Sequence, residues 1–176
     1  MTKLKKFLIK NKAGLEVLDY AKNMTLTEFY NNCNRGDWII WLFSKTNPSD
    51  IKQLVLTATN CANVCRPVSI DKRSLEAIKD ALRFNKYLFN EIERNSAAAS
   101  HADGQAWAAS HSAEAAADHA SRADDVGVAI AANAAARAAA WAADYAAIAL
   151  KDSELIADIV RKHLPLKIWN QEIINN

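Results

Sequence analysis

From Ser96 to about Leu150 roughly every second residue is alanine, and the alanines recur at alternating spacings of three and four. The first half carries Ala99, Ala102, Ala106, Ala109, Ala113, Ala116 and Ala120; the second carries Ala132, Ala135, Ala139, Ala142, Ala146 and Ala149. That spacing is a heptad seam, so each half should be a helix that lays its smallest side against another helix. Asp124-Asp-Val-Gly127 is the best turn signal within the stretch. It divides the region into two helices of about 25 residues, each roughly 37 Å long, and predicts an antiparallel hairpin. Alanine loses almost no side-chain entropy in a helix and lets backbones approach closely. It also buries little area, so stability must come from the Leu-, Ile- and Trp-rich helices on either side.

Those flanking helices are legible in turn. Leu15, Val17, Leu18 and Ala21 fall at helical spacing. Thr25-Leu-Thr-Glu28 reads as a capping box, and the helix it starts should stop near Asn34, where Gly36 breaks the run. Asp37 is the expected cap of Trp38-Ile-Ile-Trp-Leu-Phe43, which is apolar all round and therefore reads as a central buried helix. Asn47-Pro-Ser-Asp50 predicts an asparagine cap with proline in the first turn, opening a helix that ends before Pro67. Ser69 or Asp71 then caps a helix carrying Leu75, Ile78, Leu82 and Leu88. Asp152 caps a closing helix through Leu155, Ile156, Ile159, Val160 and Leu164, stopped by Pro165. The tail from Leu166 to Asn176 is expected to pack through Ile168 and Trp169 and then fray. With four glycines, three prolines and no competing strand pattern, the fold class is all-α: one helical-bundle domain over 1–176. Its parts are hydrophobic helices (1–95), the alanine-rich hairpin (96–150), the closing helix (151–165) and the tail (166–176).

Bulk properties exclude several classes. A net charge of +2 is too small to indicate nucleic acid, and Lys3, Lys5, Lys6, Lys10 and Lys12 read as a solvated helix face or frayed end. Phe7-Leu-Ile9 is too short for the apolar core of a signal peptide. His, Asp, Glu and Arg interrupt the alanine region every few residues, which argues against a membrane span. Three cysteines fit a reducing compartment better than a disulfide scaffold, so the expected localisation is cytoplasmic.

Candidate chemistry is sparse. His111, Glu114 and Asp118 share one helical face with Arg122, but a di-metal bundle needs Glu-x-x-His motifs on paired helices, and the order here is reversed. Cys61 and Cys65 have no second pair to complete a zinc site. No phosphate loop, dinucleotide loop, nucleophile elbow or HExxH motif occurs. The expectation is a non-enzyme without metal or cofactor. What stands out is the face opposite the seam, where Trp107, Arg137, Trp141 and Tyr145 form a stripe with His111 and Arg122. Trp, Tyr and Arg dominate protein interface hot spots and also clamp planar or phosphorylated ligands.

Cys33-Asn-Arg-Gly-Asp-Trp-Ile-Ile-Trp-Leu42 resembles a C-x-R-G-D-W-L-L-W-L signature of an immunity-protein family of bacteria and phages, the group with an Imm5-like domain. Asn60-Cys-Ala-Asn-Val-Cys-Arg-Pro67, the Asp71–Ile78 segment, the alanine-rich region and Ala157-Asp-Ile-Val-Arg-Lys-His-Leu-Pro165 extend the resemblance over about Thr25 to Pro165. It implies a protein that binds and neutralises a toxin or effector without catalysis, and carries over no functional residues. Cys33, Arg35, Gly36, Asp37 and Trp38 are expected to be structural: a turn, a cap and a core tryptophan. Three functions follow as expectations. The first is sequestration of a protein partner through the Trp/Arg/His stripe. The second is a phage-encoded sponge for a nucleotide-like signal, with Arg122 and Arg137 on phosphates. The third is an oligomerising structural protein paired through its alanine seams.

Overall fold

The computed structural model describes residues 1–48, 50–64 and 128–175. In chain order these form α1 (Lys3–Lys10), α2 (Leu15–Tyr20), α3 (Leu26–Asn32), α4 (Gly36–Thr46), α5 (Ile51–Asn63), α6 (Val128–Leu150), α7 (Ser153–His163), a 3₁₀ turn (Leu166–Ile168) and α8 (Glu172–Asn175). Among the described residues there is no strand, and the fold is an all-α bundle. No described helix is long and apolar enough to cross a membrane.

The hub is the helix whose sequence is apolar all round. Ile39, Ile40, Leu42 and Phe43 of α4 are fully buried, each such side chain contributing about 1.5–3 kcal/mol of burial. They are enclosed by α6 and α7. Alanine supplies the other half of this packing. α6 lies against α4, α5 and α7, and the seam residues Ala139, Ala142 and Ala146 are fully buried, with Ala138 and Ala143 beside them. These three seam residues are therefore consumed within the chain, which leaves them no open face for pairing between chains. The first half of the expected hairpin, its turn at Asp124–Gly127, Cys65 and the helix capped by Ser69 or Asp71 lie outside the described residues.

Helix ends follow local chemistry, with three corrections. The Thr25 capping box forms: the Glu28 amide donates to Thr25 Oγ1 (3.2 Å), and the Thr25 amide donates to Glu28 Oε2 (2.7 Å). Asp152 accepts from the Leu155 amide at 2.9 Å, as expected of the cap of α7. Asp37, however, does not cap α4. Arg35 holds the cap position, Gly36 is the first helical residue, and Asp37 sits in the first turn. The glycine is there for proximity. It has ordinary negative φ, and a Cβ on it would lie 3.1 Å from both Ile156 Cγ2 and Val160 Cγ2, so α4 can touch α7 only without a side chain at this point. Nor does Asn47 cap α5. Asp50 does, at 3.4 Å from the Gln53 amide, while Asn47 closes α4 and binds the tail through Ile168 O and the Asn170 amide, both at 3.0 Å. The tail packs through Trp169 as expected, edge-on against Tyr30 and Phe43, but it does not then fray: α8 lies on α1 with Ile174 buried. The lysine-rich start is α1 itself, capped by Thr2, with Leu4, Phe7 and Leu8 in the core.

Candidate functional site

The site begins where α3 hands over to α4. Arg161 of α7 reaches back across this junction, donating from Nε to Tyr30 O (2.9 Å) and from Nη2 to Cys33 O, and so answers carbonyls that the end of α3 leaves open. Tyr30 returns a hydrogen bond to Arg161 O at 3.1 Å. Cys33 is fully buried, its thiol donates to Arg35 O at 3.4 Å, and burial pushes it up to about 11. A thiol held neutral in this way is a packing group, not a nucleophile.

With the chain fixed, the Arg35 side chain turns onto the first turn of α4. Nε and Nη2 donate to Asp37 Oδ1 and Oδ2, both at 2.8 Å, the fork geometry that guanidinium and carboxylate share. The same Nη2 lies 3.4 Å from Asp144 Oδ1 on α6, and the guanidinium carbon stands 5.0 Å over the Trp38 ring. Asp144 is nonetheless held above the usual carboxylate range. Burial is the main cause and the Asp37 charge adds to it, while Arg35, already forked by Asp37, pulls the other way. The bond to Asp37 in turn holds Arg35 more firmly protonated.

Beside this cluster a groove of about 760 Å³ opens between the α1–α2 turn, α2, α4 and α6. α4 contributes Asp37, Trp38, Trp41, Ser44 and Lys45; α6 contributes Ala136, Arg137, Ala140, Trp141 and Asp144. Both sets are helical repeats of three, four and one, so each marks a single face. Ala136 and Ala140 give the groove its depth, because methyl side chains leave the space between the tryptophans empty. Each tryptophan has a cation over its ring: Arg35 on Trp38 at 5.0 Å, Lys45 on Trp41 at 5.9 Å, and Arg137 on Trp141 at 5.3 Å. The Ser44 hydroxyl donates to Trp41 O at 2.7 Å. The rims are apolar and wet, with Leu15 80% exposed and Trp141 50% exposed.

Of the residues singled out in the sequence, Arg137 and Trp141 meet in this groove, and Asp37 and Trp38 join them from the signature segment, with Arg35 beside the groove on both. Tyr145 does not; it packs half-buried on the hydrophobic core, one helical step off the groove face. Trp107, His111 and Arg122 lie outside the described residues. Trp38 and Trp41 are partly buried, packing against the core on one side and walling the groove on the other. Sequence reasoning missed Leu15, Glu16, Trp41 and Lys45. The signal for the last two was the Trp38, Trp41, Lys45 spacing, an amphipathic stripe hidden in an apolar run. Among the described residues no group of three His, Cys, Asp or Glu is placed to hold a metal ion.

Fold and groove together define a class: a helical bundle presenting a tryptophan-walled groove of mixed charge. Comparison with protein-family models, curated proteins and solved structures finds no significant match.

Proposed function

We propose that the protein is a non-enzymatic binding protein whose groove receives part of a protein partner, in the manner of an immunity-like protein sequestering a toxin or effector. The observation that carries this reading is the exposed pair of rims, Leu15 and Trp141, on a groove walled by Trp38 and Trp41. An exposed aromatic and a large exposed leucine cost free energy in water and return it when a partner covers them. Trp141, with Arg137 stacked on it, combines two of the residue types enriched at the hot spots of protein interfaces. The mixed charge also favours a protein. A uniformly anionic ligand long enough to span the groove meets Asp37 and Asp144 at one end as well as Lys45 and Arg137 at the other.

The test is affinity capture from the native host, followed by titration with the purified partner. Trp141→Ala and Arg137→Ala should each weaken binding by about 2 kcal/mol, or roughly thirtyfold. Capture and affinity unchanged in both variants would remove the groove from the interface.

One observation supports a small-ligand alternative: a volume of about 760 Å³ falls within the usual range of ligand pockets. A nucleotide-like signal held here would stack on Trp141 and meet Arg137. A thermal-shift panel of nucleotides discriminates the readings, since ligand at 100 times its dissociation constant adds about 2.7 kcal/mol. A flat panel removes the alternative.

A further inference from the structure

The charges around the groove are segregated by helix direction. Asp37, at the start of α4, and Asp144, near the end of α6, meet at Arg35. From that point the groove follows α4 forward to Lys45 and α6 backward to Arg137, so the two walls run antiparallel. Eight residues of α4 and seven of α6 carry the charge about 10–12 Å along the groove. Glu16 also lies at the Arg35 end, close enough for its charge to act on that guanidinium. Asp37 and Asp144 share that one arginine, and Glu16 adds a third negative charge nearby. At the far end stand Lys45 and Arg137, and Arg137 has no ion pair among the described residues, its guanidinium lying over Trp141. The groove therefore has an acidic end, a basic end and tryptophan between them.

We infer that the occupant is a protein segment of matching polarity, with a basic side chain at the Arg35 end, an apolar side chain between the tryptophans and a carboxylate on Arg137. On a helix that spacing is about seven residues. A segment of this kind completes two charge sets at once, whereas a uniformly charged one meets its like at one end. The inference rests on the groove being a protein-binding surface and adds what that surface selects.

The experiment uses four blocked twelve-residue stapled helical peptides with a central leucine and no tryptophan. One carries Glu and Lys seven residues apart; the others carry two Glu, two Lys or two Gln at the same positions. Binding is followed by calorimetry and by the intrinsic tryptophan fluorescence of the full chain. The Glu/Lys peptide should bind about tenfold more tightly than the other three, with the advantage shrinking as salt is raised. Arg137→Glu, at an exposed position, should move the preference to the two-Lys peptide. Asp144→Asn should narrow the gap between the Glu/Lys and two-Glu peptides. Circular dichroism and melting confirm that both variants are folded. Equal affinity across the four peptides, absence of binding by all of them, or a preference unmoved by Arg137→Glu overturns the inference. Equal binding of a blocked Glu-Leu-Lys tripeptide would assign the groove to small ligands and overturn it as well. If partner capture still depends on Trp141 in any of these cases, the protein-binding reading stands and only the charge selection fails.

Discussion

Gly36→Ala is the smallest change that tests how α4 is seated on α7. The added methyl would stand 3.1 Å from Ile156 Cγ2, 3.1 Å from Val160 Cγ2 and 3.5 Å from Ile156 O. Carbon atoms are comfortable at about 3.5–4.0 Å, so both neighbouring methyls must retreat by roughly half an ångström. Ile156 and Val160 are fully buried and have little room to do so. Overpacking of this kind costs about 1–3 kcal/mol, while alanine in place of glycine returns up to about 1 kcal/mol of helix propensity, less in a first turn. The expected net loss is about 1–2 kcal/mol, a fall in Tm of roughly 2–8 °C for a chain of this size. Thermal melts of Gly36→Ala, Val160→Ala and the double variant form a cycle. Removing two methyls at Val160 makes room for the one added, so the double variant should be more stable than the sum of the singles by about 1 kcal/mol. A neutral or stabilising Gly36→Ala, together with additive singles, would refute close approach as the reason for glycine.

Three further outcomes are expected. Lys12 and Lys151 follow α1 and α6 with φ of 57° and 54°, and each precedes an amide bonded back to the helix (Ala13 to Leu8 O at 3.0 Å, Asp152 to Ala147 O at 3.1 Å). Glycine occupies that left-handed position without a Cβ penalty, so Lys12→Gly and Lys151→Gly should each raise stability by about 0.5–1 kcal/mol in denaturant titrations. Arg161→Ala leaves Tyr30 O and Cys33 O without their donor and should cost about 2–4 kcal/mol; Arg161→Lys should recover little, because one ammonium cannot span both carbonyls. His163 is held below its ordinary 6.5 by burial, and the Lys162 charge adds to this. The unfolded chain then binds the proton first, so this contribution is whole above about pH 6.5 and is lost as pH falls below it. Melts from pH 7.5 to 5.5 should show a steeper decline for the native chain than for His163→Gln; parallel declines would contradict that account.

Much of the fold was legible because helix signals are local. A threonine three residues before a glutamate, an aspartate ahead of an apolar run, and alanines on a 3–4 repeat each act within a turn or two, and Thr25, Asp152 and Ala139 stand where those rules put them. Where the expectations failed, another group had a stronger claim on the side chain, a near neighbour in one case and the far end of the chain in the other. Asp37 was a sound cap by sequence, but Arg35 takes its carboxylate; Asn47 was a sound cap too, but the tail at Ile168 and Asn170 takes its side chain. Of the stripe opposite the seam, Arg137 and Trp141 share the groove because they are one turn apart on one helix, while Tyr145, one step around the helix, packs partly buried on the core. Their partners in the groove, Trp38, Trp41 and Lys45, are about a hundred residues away in the chain, and no local pattern couples them.

By itself, then, the sequence determined helices, the caps at Thr25 and Asp152 and the small face of α6, since propensity, capping and periodicity are properties of neighbours along the chain. Only the tertiary structure decided that α4 and α6 run antiparallel past Arg35, that Gly36 is a contact rather than a break, and that three tryptophans wall one groove with acids at one end and bases at the other. Those features depend on which faces meet, and faces meet through burial and charge acting between residues the chain holds far apart.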